Sequence, residues 1–198
     1  MARLLPAALA VLGLSAPVLA HTGPDMGAHD AFVGGLLHPW LGWDHLLAML
    51  AVGVWAVQIG RRACWVLPAA FVSCMIGGCL LSLLGLRTPM TEAGIVTSVL
   101  VLGVMVALRW RPSPALAGVL VGAMAIFHGS AHAAELPAGA SVAGFVIGFA
   151  VATGALHLLG ILIAMRLVDK RPGLVRLAGA GVVATGVAFA LAPAWLSA

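Results

Sequence analysis

Charge is what this chain has least of. Ten Lys and Arg and six Asp and Glu make up 8% of its 198 residues, against ~25% in an ordinary soluble domain, so a solvated globular surface is excluded. Tyrosine is absent, and cysteine occurs three times. Cys64, Cys74 and Cys79 share one apolar segment without paired spacing, so neither a structural disulfide nor a thiolate metal site is expected. The sequence has no phosphate-cradling glycine loop ahead of Lys-Ser or Lys-Thr, which argues against ATP hydrolysis by this polypeptide. Barrel-type alternation of apolar and polar residues is also missing. The formal charge of +4 does not point to nucleic acid, because the cations sit in short clusters between apolar segments.

What is present is hydrophobic: 63% of residues, with a mean hydropathy of +1.14. Runs of Leu, Ala, Val and Gly with short polar breaks predict an all-α integral membrane protein, since a bilayer core admits only helices or closed barrels. Residues 1–20, MARLLPAALAVLGLSAPVLA, carry Arg3, an apolar core and Pro17 ahead of the polar HTGPD. This is the pattern of a signal peptide cleaved after Ala20, with an uncleaved first helix as the alternative. Residues 21–198 are then expected to form a single membrane domain, a six-helix bundle with spans at about 31–59, 64–85, 91–108, 114–134, 141–165 and 174–193, each near the ~20 residues needed to cross.

Arg61 and Arg62, Arg109 and Arg111, and Arg166, Lys170, Arg171 and Arg176 all follow odd-numbered spans, with Arg87 alone on the other side. By the positive-inside rule both termini lie outside the cytoplasm, and the expected location is the bacterial inner membrane with both termini periplasmic. Asp25, Asp30, Glu92 and Glu135 show the opposite bias, toward the outer ends, and Asp169 alone lies in a cytoplasmic loop. Three spans on either side of the middle give the halves opposite topology, the arrangement of a 3+3 inverted repeat, although no internal sequence match accompanies it. Small residues in GGLL, MIGGC, GVLVGA and AGAGVVATG allow close helix packing. Trp40, Trp43, Trp65, Trp110 and Trp195 fall near span ends, where indole suits the interface. Oligomeric state is not legible, and a homo-oligomer stays open.

Against this background the ionisable residues within the spans are conspicuous. LLHPWLGWDHLLAML carries His38, Asp44 and His45, and an Asp alone at a helix centre costs about 2.5–3.5 kcal/mol on insertion scales. Seven residues apart, His38 and His45 project from nearly one helix face, with Pro39 and Gly42 as an expected irregularity between them. A structural Asp44–His45 pair is the plainer alternative. The fourth span ends AIFHGSAHAAELP, which sets His128, His132 and Glu135 on one face. His-x-x-x-His one turn apart is a standard way to hold a divalent metal. Glu92 opens the third span, where the helix dipole alone would explain it, and His157 lies deep in the fifth. Counted inward at ~1.5 Å per residue, Glu92 and Glu135 are expected at the mouth, His132, His128 and His38 below, and Asp44, His45 and His157 nearer the midplane. Imidazole and carboxylate without thiolate suit Ni(II), Co(II) or Zn(II) rather than Cu(I) or an iron–sulfur cluster. His21 and His29, in the polar leader, read as a solvated tail.

HPWLGWDHLLAMLAVGVWA, FHGSAHAAELP and ATGALHLLG, in this order, resemble three signatures of the HupE/UreJ family over essentially the whole chain. The resemblance implies a permease for nickel, in some members cobalt, that supplies hydrogenase or urease. It maps the transport residues onto His38, Asp44, His45, Glu92, His132 and Glu135, with His128 and His157 supported by motif position. One departure is Ala133, where the family pattern has Gly. The expected function is therefore a secondary permease or facilitated-diffusion carrier importing a divalent transition metal, most readily nickel, from periplasm to cytoplasm. The ion is substrate, no prosthetic group is expected, and the chain is not expected to be an enzyme. The alternatives are an intramembrane hydrolase, either zinc-dependent or serine-type with Ser130 as nucleophile and His157 as base, and an accessory subunit whose ionisable residues merely pair.

Overall fold

The computed structural model describes residues 27–86 and 88–191. The expected signal peptide, Arg87 and Trp195 lie outside the described residues. Within them the chain is all-helical: α1 Ala28–Leu41, α2 Trp43–Ile59, α3 Ala63–Leu83, α4 Thr91–Leu108, α5 Pro114–Ala134, α6 Val142–Leu167 and α7 Pro172–Leu191. Five of these, α3 to α7, are long and apolar enough to cross a membrane, and α1 with α2 pass the same test as a pair bent by 80°. The protein is thus a multi-pass helical membrane protein. Local chemistry sets several boundaries. Ser113 accepts from the Leu116 amide with Pro114 at the first helical position, and Ser141 accepts from the Gly144 amide, so two otherwise unpaired amides are capped where a bilayer would leave them unsolvated.

The irregularity expected at Pro39 and Gly42 is a full break of the first span. Pro39 sits in the last turn of α1, and Gly42, at φ −94° and ψ 116°, is the extended residue that separates α1 from α2. A Cβ on Gly42 would stand 2.8 Å from Asp44 Oδ1, so the break leaves room for the carboxylate of the second helix's first turn.

Packing is dominated by three helix pairings: the broken span against α6, α3 against α5, and α4 against α7. Each is a close approach through glycines that face each other's helix. A Cβ on Gly53 or Gly160 would collide with backbone across the α2–α6 seam, one on Gly78 or Gly129 across the α3–α5 seam, and one on Gly103 or Gly179 across the α4–α7 seam. Where hydrocarbon surrounds the helices, such contact replaces the hydrophobic drive as the source of cohesion. Exchanging spans one to three with four to six converts the first pairing into the second and leaves the third unchanged, as an inverted 3+3 arrangement requires. The lesser contacts break this symmetry, because α2 packs on α4 while α5 and α7 do not meet.

Around an apolar core, Leu158, Leu162, Met165 and Leu177 are exposed as on a lipid-facing surface, while His45, Gln58, Ser98, His128, Ser130, His132, Thr153 and His157 are buried within. The arginine-bearing ends of α2 and α4 are tied together by buried Trp55. Its indole stacks on Trp110 at 6.0 Å and 19°, and its Nε1 donates to the Trp110 carbonyl at 2.8 Å. One turn on, Gln58 Nε2 donates to the Val106 carbonyl at 3.0 Å.

Candidate metal site

The break at Gly42 decides the geometry of the site. In a continuous helix His38 and His45 would share a face yet stand about 10 Å apart along the axis, too far to hold one ion. The 80° bend brings their rings to 5.8 Å. His132, from the last turn of α5, packs 4.9 Å from His38 and 5.0 Å from His45. One ring nitrogen from each of the three lies within 4.8 Å of the others. Every donor sits at a helix terminus: His38 in the last turn of α1, His45 in the first turn of α2, and His132 in the last turn of α5.

Two carboxylates flank the histidines. Glu135 Oε2 lies 2.7 Å from His38 Nε2 and 3.9 Å from His132 Nδ1, and its side chain is half exposed. Asp44 Oδ1 accepts from the His45 backbone amide at 2.8 Å and lies 2.9 Å from His45 Nδ1. This second contact places the imidazole proton on Nδ1 and leaves the Nε2 lone pair free, the arrangement by which a carboxylate orients a metal-binding histidine. His45 Nε2 and both ring nitrogens of His132 are buried without a hydrogen-bond partner. An unpaired buried polar atom costs about 1–3 kcal/mol, so bare nitrogens on two histidines whose rings pack at 5.0 Å suit a site prepared for a ligand. Phe149 fixes the His132 plane by stacking on it at 4.5 Å and 8°.

Asp44 is partly exposed, and His128 packs against His45 at 4.9 Å. Glu92 is apart from the histidines and lines a cavity of about 280 Å³ together with Glu135, Ser82, Thr88, Thr91 and Ser130, room for several waters at ~30 Å³ each. His157 is not in the cluster, because the Phe71 ring lies against it at 5.0 Å and against His128 at 5.4 Å. Ser130, considered as a nucleophile, is bonded to Ser82 at 3.0 Å and Thr88 at 2.6 Å, and among the described residues no hydrogen bond joins it to His157. The cysteines are free and all lie on α3. Phe71, Phe149 and Ser98 were not singled out in the sequence. Only Ser98, a polar residue inside an apolar span, carried a signal.

Fold and site together define a multi-pass helical membrane protein with a cluster of histidines and carboxylates among its helices. The chain belongs to the HupE / UreJ protein family, whose model matches residues 9–189. It is 41% identical over 178 residues to Protein HupE of Rhizobium leguminosarum bv. viciae, a match covering 89% of this chain and 92% of that one. No solved structure matches the chain.

Proposed function

We propose that the protein is a secondary permease or facilitated-diffusion carrier that moves a divalent transition metal, nickel by preference, from periplasm to cytoplasm. The observation that carries this reading is the cluster of His38, His45 and His132, with donor atoms within 4.8 Å of one another and unpartnered nitrogens on His45 and His132, at the break of a membrane span. Borderline nitrogen donors without thiolate suit Ni(II), Co(II) and Zn(II). Membership of the HupE / UreJ family and the hydrogenase and urease context of the family resemblance favour nickel among them, destined for one of those enzymes. The clustering of Arg61, Arg62, Arg109, Arg111 and Arg166 at alternate loops supports an orientation with both termini outside, α1–α2 counted as one broken span.

In this account Glu92 and Glu135 draw the hydrated cation into the cavity between α3, α4 and α5. Part of its water shell is replaced by His38, His45 and His132, with Glu135 either as a further ligand or as the proton acceptor that frees His38. Asp44 acts through His45 by holding its proton on Nδ1. The His38–Glu135 contact must open before His38 binds the ion, which keeps binding modest, as conduction requires. Three imidazoles would also suit a hydrolytic zinc, but here the buried histidines continue inward from the cluster, which suits passage better than catalysis.

Radiolabelled nickel uptake into proteoliposomes tests the reading. The wild-type chain is expected to give saturable uptake well above that of empty liposomes, and a His38→Ala/His132→Ala chain is expected to lose it. Wild-type flux equal to that of empty liposomes overturns the proposal.

A further inference from the structure

Beneath the three-histidine cluster lie two more buried histidines that the proposed site does not use. His128 is bonded through Nε2 to Ser98 Oγ at 2.8 Å, and Ser98 donates its own hydroxyl to the Ile95 carbonyl at 2.6 Å. With its single proton committed there, Ser98 can only accept, so His128 carries its proton on Nε2 and exposes a bare lone pair on Nδ1. That Nδ1 is buried and without a partner. His157, on α6, is buried as well, and neither of its ring nitrogens has a partner. A histidine kept for packing bonds at least one nitrogen to the backbone or a neighbour, and a phenylalanine or leucine would fill the same space without leaving two polar atoms bare.

Between these histidines stands one apolar side chain. Phe71, fully buried on α3, contacts the His128 ring at 5.4 Å and the His157 ring at 5.0 Å. One turn along each of the two helices, Thr153 Oγ1 donates to Met75 Sδ at 3.7 Å, so the α3–α6 contact joins soft and polar atoms around the phenylalanine.

We infer that His157 is an inner station for the same divalent metal, that His128 Nδ1 passes the ion toward it, and that the Phe71 ring is the apolar partition between this station and the outer cluster. The inference rests on the transport reading given above. Movement of one aromatic ring would open a handover between imidazole sites without exposing the path to bulk water. Two stations in series, each of modest affinity, let a bound ion leave inward.

Purified protein in detergent, titrated with nickel by equilibrium dialysis, and the same protein in liposomes, assayed for nickel flux, test it together. The wild-type chain should bind one ion, Phe71→Ala two, and Phe71→Ala/His157→Leu one again. His157→Leu alone should keep outer-site affinity within twofold of wild type and lose at least tenfold in flux. A purely structural His157 predicts unchanged flux in His157→Leu and one ion in Phe71→Ala, and either result overturns the inner station. Should His157→Leu fail to fold, as loss of outer-site binding would reveal, the stoichiometry of Phe71→Ala against wild type decides by itself. A wild-type chain that binds no nickel overturns the transport reading and this one with it. Normal wild-type binding and flux with an indifferent His157→Leu removes only the inner station.

Discussion

Replacing Asp44 by Asn probes the proposed orienting role of this carboxylate with almost no change in shape. Asp44 Oδ1 holds His45 twice, through the backbone amide at 2.8 Å and through Nδ1 at 2.9 Å. As a carboxylate it can only accept, so His45 must present Nε2 as its lone pair to the cluster. An amide keeps that arrangement only when its oxygen faces His45; in the flipped orientation it donates to Nδ1 and moves the imidazole proton onto Nε2, where a metal should bind. Even unflipped, the substitution exchanges charge-assisted bonds worth about 1.5–3 kcal/mol for neutral ones nearer 1 kcal/mol. The difference, about 0.5–2 kcal/mol, corresponds to roughly a 2–30-fold loss of nickel affinity, overlapping the ~10–100-fold range observed when the partner of a metal-binding histidine is removed. Competition between the purified protein and a fluorescent nickel chelator would measure it, with circular dichroism as the check on folding. Affinity within twofold of wild type would refute the orienting role, and a loss beyond about a thousandfold would instead make Asp44 a direct ligand.

Other consequences follow from the same geometry. His132→Phe should preserve the stack on Phe149 while removing two unpartnered buried nitrogens, so the metal-free protein should unfold later, by up to ~1–3 kcal/mol, while nickel affinity falls; thermal unfolding with and without chelator reads both. Ser98→Ala frees His128 to adopt either tautomer and should lower proteoliposome flux several-fold while leaving outer-site affinity unchanged. Gly129→Ala places a methyl group against the Met75 carbonyl and 2.8 Å from the Cys79 amide nitrogen. Helices α3 and α5 must then part by about 1 Å or more, which should cut both folded yield and nickel affinity because His128 and His132 ride on α5; size-exclusion yield and dialysis would show it.

The bundle was largely legible in the sequence, because apolar runs of spanning length admit few structures in a bilayer. The histidines and carboxylates were legible too, since each is costly there and the spacing of His128, His132 and Glu135 survives on the straight helix α5. What sequence periodicity misread was the relation of His38 to His45. Sharing a face over seven residues would have kept them apart, and it is the turn at Gly42 that makes them neighbours. Phe71 and Phe149 could not be read at all, because an aromatic residue that positions a histidine looks identical, in an apolar span, to one that faces lipid. The tautomer of His128 depends on Ser98, thirty residues away on another helix, a relation that only packing reveals.

X-ray absorption at the nickel edge of the loaded, purified protein addresses the central claim most directly. The account predicts a stoichiometric ion with nitrogen and oxygen neighbours, the outer-shell scattering of three imidazoles, no sulfur, and two imidazoles in His132→Ala. An ion coordinated only by water and carboxylate, or a spectrum unchanged in His132→Ala, would contradict it.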